Sequence, residues 1–119
     1  MTNLVIILGR AGKDADLAYT PNGAAICKFS LATSETWNKD GQKQERTDWH
    51  NIIVWNKLAE LCQRNIRKGD QIYIEGKLQT SSWEKDGKKF YKTEINAFKV
   101  QWFHKKEEKK ESTEGAYDI

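Results

Sequence analysis

A chain of 119 residues has the length of one domain, and 38% hydrophobic with 11% aromatic content is too rich in core formers for a chain disordered throughout, despite a mean hydropathy of -0.82. The net charge of +3 is a mild basic bias that fits an anionic partner without identifying one. Cys27 and Cys62 lie far apart, with His50 and His104 the only other soft donors; this argues against a zinc site or disulfide scaffold, so two reduced, buried thiols and no cofactor or metal are expected.

Residues 4 to 8, LVIIL, form a continuous apolar run ended by Gly9 and Gly12, which predicts a strand covered on both faces. The run is too short to span a bilayer and lacks the basic start and cleavage site of a leader, so a soluble, cytosolic protein is expected. A small chain has little to cover both faces of such a strand. Self-association through Leu4, Ile6 and Leu8 is therefore expected. Pro21-Asn22-Gly23 marks a turn. AAICKFSLAT then alternates, with Cys27, Phe29 and Leu31 on one face and Ile26, Lys28 and Ser30 on the other.

The third strand, DWHNIIVWN, places Trp49, Asn51, Ile53 and Trp55 on one face and His50, Ile52 and Val54 on the core side. Asn56 offers an N-cap, and KLAELCQRNIRKG sets Leu58, Leu61, Cys62 and Ile66 on a helical stripe, supported by Glu60 and Arg64 and ended by Gly69. QIYIEGKL and FYKTEINAFKVQWF supply two more strands. No apolar periodicity continues beyond residue 104, so a domain over 1–104 and a short charged, disordered tail over 105–119 are expected. Three strands, a helix and two strands predict an all-β, five-stranded Greek-key barrel of the OB type with its helix between strands 3 and 4; an open α+β sheet would give the same order.

Two stretches, TWNKDGQK and SWEKDGKK, repeat Trp-x-Lys-Asp-Gly-x-Lys. Asp-Gly between alternating segments predicts tight hairpins. Their tryptophans, Trp37 and Trp83, lie among Lys39, Lys43, Arg46, Lys85, Lys88 and Lys89, with Lys77 on the approach to the second turn. A purely structural role for these rings is cross-strand packing. Rings interleaved with cations better suit an unpaired nucleic-acid strand, whose bases stack on Trp37, Trp49, Trp55 and Trp83 while its phosphates meet Lys and Arg. A carbohydrate-binding module would also stack on tryptophan, but would not need the cations. No HxE with CxxC, no phosphate-binding glycine loop and no glycine-framed serine is present, so no enzyme is expected. Trp102 reads as core or subunit interface, and Arg64, Arg67 and Lys68 as complements to the helix dipole.

ILGRAGKDADLAYTPNG, FSLATSETW and TDWHNIIVWNKLAELCQRNIRKGDQIYIEGKL together resemble the bacterial single-stranded DNA-binding protein family over roughly residues 3 to 103. The resemblance implies an OB barrel, a homotetramer (a homodimer as fallback) and sequence-independent binding and protection of single-stranded DNA in replication, recombination and repair. It further implies that Trp37, Trp49 and Trp83 stack on bases, with Trp55 in place of a usual Phe. Arg10, Lys57 and Lys68 match positively charged family positions, of which Arg10 and Lys57 are assigned to phosphate, and His50 and Tyr73 match positions of subunit contact. An OB module for RNA or for a primosomal protein partner is the alternative.

The sequence also departs from the family pattern. Ser81 and Ser82 stand where Arg and Lys are common, and Ala15 replaces a frequent proline. The family's long tail with an acidic, Phe-terminated tip, which recruits replication and repair proteins, has no clear counterpart in Tyr117-Asp118-Ile119. A short-tailed member is expected, acting in the bacterial cytosol and nucleoid, whether of chromosomal, phage or mobile-element origin.

Overall fold

Two Asp-Gly dipeptides generate the longest features of the fold. Asp40 and Gly41 have φ of 52° and 77°, and Asp86 and Gly87 have 53° and 77°. Positive φ at both central residues defines a type I′ turn, whose twist matches that of the flanking strands. The computed structural model describes residues 1–104; the tail expected over 105–119 lies outside the described residues. Its strands are β1 (Val5–Ala11), β2 (Asp16–Tyr19), β3 (Ala25–Lys39), β4 (Gln42–Trp55), β5 (Gln71–Lys85) and β6 (Lys88–Phe103), with helix α1 (Asn56–Asn65) between β4 and β5.

β1 pairs antiparallel with β5 and β5 with β6; β6 runs parallel to β4, β4 pairs with β3, and Arg10 and Ala11 of β1 meet Ala32 and Leu31 of β3. That last pairing closes five strands into a barrel, which decides against an open sheet. The helix enters between the third and fourth barrel strands. The four-residue β2, not expected from the sequence, lies along the start of β3 from Asp16↔Lys28 to Tyr19↔Ala25.

Alternation builds the core. Cys27, Phe29 and Leu31 of β3, Ile52 and Val54 of β4, Ile72 and Ile74 of β5, and Ile95, Ala97 and Val100 of β6 point inward, each large aliphatic side chain contributing about 1.5–3 kcal/mol. The helix adds Ala59 and Cys62, and Ile66 follows just beyond its end. Trp102 packs half-buried against this cluster.

Some local expectations are corrected. Leu61 is exposed rather than core-facing, because the inner stripe runs through Ala59, Cys62 and Ile66. Ile53 stands on the outer face, as expected, yet is only 6% exposed: it sits mid-sheet between Lys28 of β3 and Asn96 of β6, and neighbours on both sides shield it. Trp55, not Asn56, occupies the N-cap position, without a side-chain cap hydrogen bond, and Asn56 has φ of 61°. Glu60 accepts a hydrogen bond from the Tyr19 hydroxyl at 3.3 Å rather than bridging to Arg64. At the other end the Arg67 guanidinium donates to the carbonyls of Gln63, Arg64 and Ile66 at 3.0–3.1 Å, satisfying the helix end and complementing its dipole.

Candidate nucleic-acid interface

The β3–β4 ladder keeps one register from Ile26↔Trp55 to Lys39↔Gln42, so residue parity assigns every side chain to a face. Trp49, Asn51, Ile53 and Trp55 stand on the outer face, as expected, and Lys43 continues it toward the turn. Trp37 is on the opposite face of the same ribbon with Glu35 and Lys39; its partner Gln44, and Arg46 beside it, share that face. Trp37 and Trp49 thus look out from two sides of one hairpin.

The β5–β6 ladder also runs without a break from Gly76↔Ala97 to Lys85↔Lys88. It places Lys77, Trp83, Lys85, Lys88 and Phe90 on the outer face, and Lys89 with Tyr91 on the other, the Lys89 ammonium 5.9 Å from the Tyr91 ring centre. Below this stretch Phe98 forms a bulge, the extra residue between Ala97 and Lys99, and is exposed.

The indoles are open to solvent: Trp37 is 45% exposed, Trp49 59% and Trp83 47%. Trp55 is half-buried and offers a smaller face. Two of these rings rest against a neighbour. Trp83 stacks on Phe90, its cross-strand partner, with centroids 5.8 Å apart and planes inclined by 21°. The Trp49 ring lies against Gly12, where an added Cβ would come within 2.6 Å of Cζ3; the small residue makes room for the indole. Cross-strand packing and exposure are therefore combined in Trp83 rather than being alternatives.

Among the expected cations, Lys39, Lys43, Lys85, Lys88 and Lys89 cluster at the two hairpin turns, and Lys57 lies exposed in the first turn of α1. Arg46 is held by Asp48 at 3.2 Å, and Arg10 donates to the Gly69 carbonyl at 3.0 Å. Sequence reading did not single out Phe90, whose role depends on its cross-strand register, or Gly12, whose role depends on a contact 37 positions away in the chain. It also passed over Lys13, Lys28 and Lys92, which the barrel brings together around one cleft.

The residues assigned to subunit contact occupy two places. Leu4, Ile6 and Leu8 are 50–56% exposed. The last two stand on the outer face of β1 opposite Glu75 and Tyr73, because it is Ile7, with Val5 packed partly beside it, that turns to the core. One face of β1 is thus covered by its own barrel and the other presents apolar side chains to solvent. The Tyr73 hydroxyl donates to Glu75 at 2.5 Å, a hydrogen bond that raises the phenol's pKa. His50 is half-buried, its Nε2 2.9 Å from Thr33 Oγ1. Both cysteines are buried and free; burial pushes the Cys27 thiol up to about 11, with Asp16 adding to it, and the Cys62 thiol up to about 12.

Among the described residues no helix is long and apolar enough to cross a membrane. A closed five-stranded barrel with a helix between its third and fourth strands is an OB fold. Residues 2–103 match the profile of the Single-strand binding protein family, and the chain belongs to that family. It is 51% identical over 87 residues to proteins named single-stranded DNA-binding protein from Neisseria meningitidis serogroup A and serogroup B strains, covering 71% of this chain and 50% of each relative. The chain thus spans about half the length of these curated relatives. Among solved structures it is similar to a Plasmodium falciparum SSB in complex with ssDNA (TM-score 0.74, 30% identity, 86% of this chain and 93% of that one). It is also similar to a deletion mutant of the single-stranded DNA binding protein from Thermus aquaticus (TM-score 0.76, 30% identity, 87% of this chain and 51% of that one).

Proposed function

We propose that this protein binds single-stranded DNA without reading its sequence, and protects it during replication, recombination and repair. The observation that carries the reading is the half-open state of Trp37, Trp49 and Trp83 on hairpins that also bear Lys39, Lys43, Lys85, Lys88 and Lys89. Every base has a π-face, so stacking on indole contributes about 1–3 kcal/mol per base whatever the base is. A duplex hides those faces between its own base pairs; an unpaired strand offers them. The lysines meet phosphates, adding a sequence-independent attraction that weakens with salt.

Geometry suggests the path. Trp49 and Trp55 share a face and are six residues apart, roughly 20 Å at about 3.3 Å per residue, a span for several nucleotides. Trp37 looks out from the other side of its ribbon, so a strand engaging both must pass around the hairpin rather than lie along a flat groove. Holding bases against rings keeps them from re-pairing; this is a binding task, and the protein acts as a binding protein rather than an enzyme.

A multi-subunit assembly supports wrapping. The apolar outer face of β1, with Leu4, Ile6 and Leu8 beside Tyr73, is the surface for association with a second copy, His50 lying at a further contact, and a homotetramer built on such dimers is the assembly we infer. The site of action is the bacterial cytoplasm. Recruitment of replication and repair proteins through Tyr117-Asp118-Ile119 falls outside the described residues and forms no part of this reading.

The test is intrinsic tryptophan fluorescence titrated with oligo-dT. Strong quenching is expected, with much of it lost in a folded Trp37→Ala, Trp49→Ala, Trp83→Ala triple variant. An unchanged titration in that variant rejects the stacking assignment.

A further inference from the structure

We propose that the polar cleft next to Trp49 is a phosphate-binding subsite for the single strand, held by Lys13, Lys28 and Lys92. The inference rests on the single-stranded DNA reading above and adds to it three cations that lie outside the hairpin turns.

The cleft encloses about 250 Å³ and is lined by Lys13, Asp16, Lys28, Asn51, Lys92 and Glu94 among others. Pockets that enclose a drug-sized ligand run to roughly 300–1,000 Å³ with mostly apolar walls. This one is smaller and lined largely by charged and polar side chains, which suits one charged group of a larger chain rather than a buried small molecule.

Its charges are arranged to receive an anion. Lys28 and Lys92 both reach the same Glu94 carboxylate oxygen, at 3.9 Å and 3.3 Å, and Lys13 stands 3.6 Å from Asp16. Three ammonium groups face two carboxylates, so one positive charge stays uncompensated. The Glu94 side chain is 15% exposed and the lysines 45–65%; the carboxylate therefore draws the flexible cations over the cleft while their outer sides remain open. Exposed ion pairs at such distances are weak, and a phosphate can take the lysines' free donors without the pairs having to break.

The position is set by the sheet. Ser30 and Asn51 are cross-strand partners on the floor, and Asn51 follows Trp49 by two residues on one face, roughly 7 Å at about 3.3 Å per residue. From the other side, Gly12 touches the Trp49 ring, and Lys13 is the next residue. A base stacked on Trp49 thus has its own or the adjoining phosphate within reach of the three ammonium groups.

The test measures oligo-dT affinity as a function of salt for the 119-residue chain. Each phosphate neutralised on a single strand contributes a log-log slope of about -0.7. Lys28→Gln with Lys92→Gln removes the one phosphate contact of the cleft and should therefore flatten the slope by about 0.7, with the fluorescence quench at saturation kept, while Arg64→Gln on the helix leaves the slope at the wild-type value. A double variant with the wild-type slope overturns the subsite even though the wild type binds, as does an Arg64→Gln change equal to that of the double variant. Failure of the wild type to bind oligo-dT at all is a separate result, and takes down the reading on which the subsite rests.

Discussion

Trp83 and Phe90 lie nearly face to face across the β5–β6 ladder, 5.8 Å between centroids, and Trp83 still leaves 47% of its surface to solvent. The phenyl ring occupies one side of the indole and fixes the orientation of the other. Such a pair contributes about 0.5–1.5 kcal/mol beyond its area. Phe90→Ala is therefore expected to lower oligo-dT affinity by roughly 2- to 10-fold while the barrel stays folded, because Phe90 is outside the core cluster. Circular dichroism and a fluorescence titration check both halves; undiminished affinity would show that Trp83 needs no backing ring.

Gly12 makes the corresponding prediction for Trp49. A Cβ at residue 12 would stand 2.6 Å from the indole Cζ3, a contact that forces the ring to move. Gly12→Ala should weaken oligo-dT binding several-fold in the wild-type background and have little effect in a Trp49→Ala background. A double-mutant cycle reads the difference. Equal losses in both backgrounds would mean that Gly12 acts on something other than the ring.

The outer face of β1 yields a prediction about assembly. Leu8→Asp places a charge on the exposed apolar strip beside Tyr73 without touching the barrel core. Sedimentation velocity should show a smaller species than wild type at equal concentration, with an unchanged circular dichroism spectrum. A variant that sediments like the wild type removes this face from the interface.

The buried thiols set an alkaline limit. Both Cys27 and Cys62 have folded-state pKa values raised from the usual 9.0, to about 11 and about 12, chiefly by burial. A raised folded pKa means a stabilising contribution that is complete below pH 9 and is lost as pH climbs through the folded values, because the unfolded chain deprotonates first. Tm should consequently fall from about pH 9 toward pH 11, with no pH dependence from these groups on the acid side. Lysines and tyrosines titrate in the same range, so the comparison is with Cys27→Ala and Cys62→Ala, whose Tm should fall less steeply. Parallel curves would exclude the thiols as the cause.

Legibility in the sequence followed the range of the interaction. The two hairpins could be read directly, because Asp40-Gly41 and Asp86-Gly87 determine their turns with their own backbone preferences and the alternation on either side sets the register. The faces of Trp49 and Trp55 were readable for the same reason: period two survives wherever a ladder has no bulge. Leu61 was misplaced because several apolar stripes could be drawn on one short helix, and docking on the barrel selects Ala59, Cys62 and Ile66. Ile53 was given its face but not its burial, because alternation says which way a side chain points, not how much its neighbours cover. Asp70, 2% exposed, gave no sequence signal; its carboxylate accepts from the Arg67 amide at 2.8 Å and lies 3.2 Å from His104 Nδ1, partners supplied by the turn after the helix and by the end of β6.

What the chain carried in one dimension was a list of strands, two type I′ turns and tryptophans set among lysines, each a consequence of contacts within a few residues. Closure of β1 on both β5 and β3, the support of Trp49 by Gly12, and the meeting of Lys13, Lys28 and Lys92 at one cleft were decided only in three dimensions. Those relationships join positions 15 to 79 apart, and loop closure leaves no mark on local composition: a lysine reads alike whether the barrel turns it toward two others or away from them.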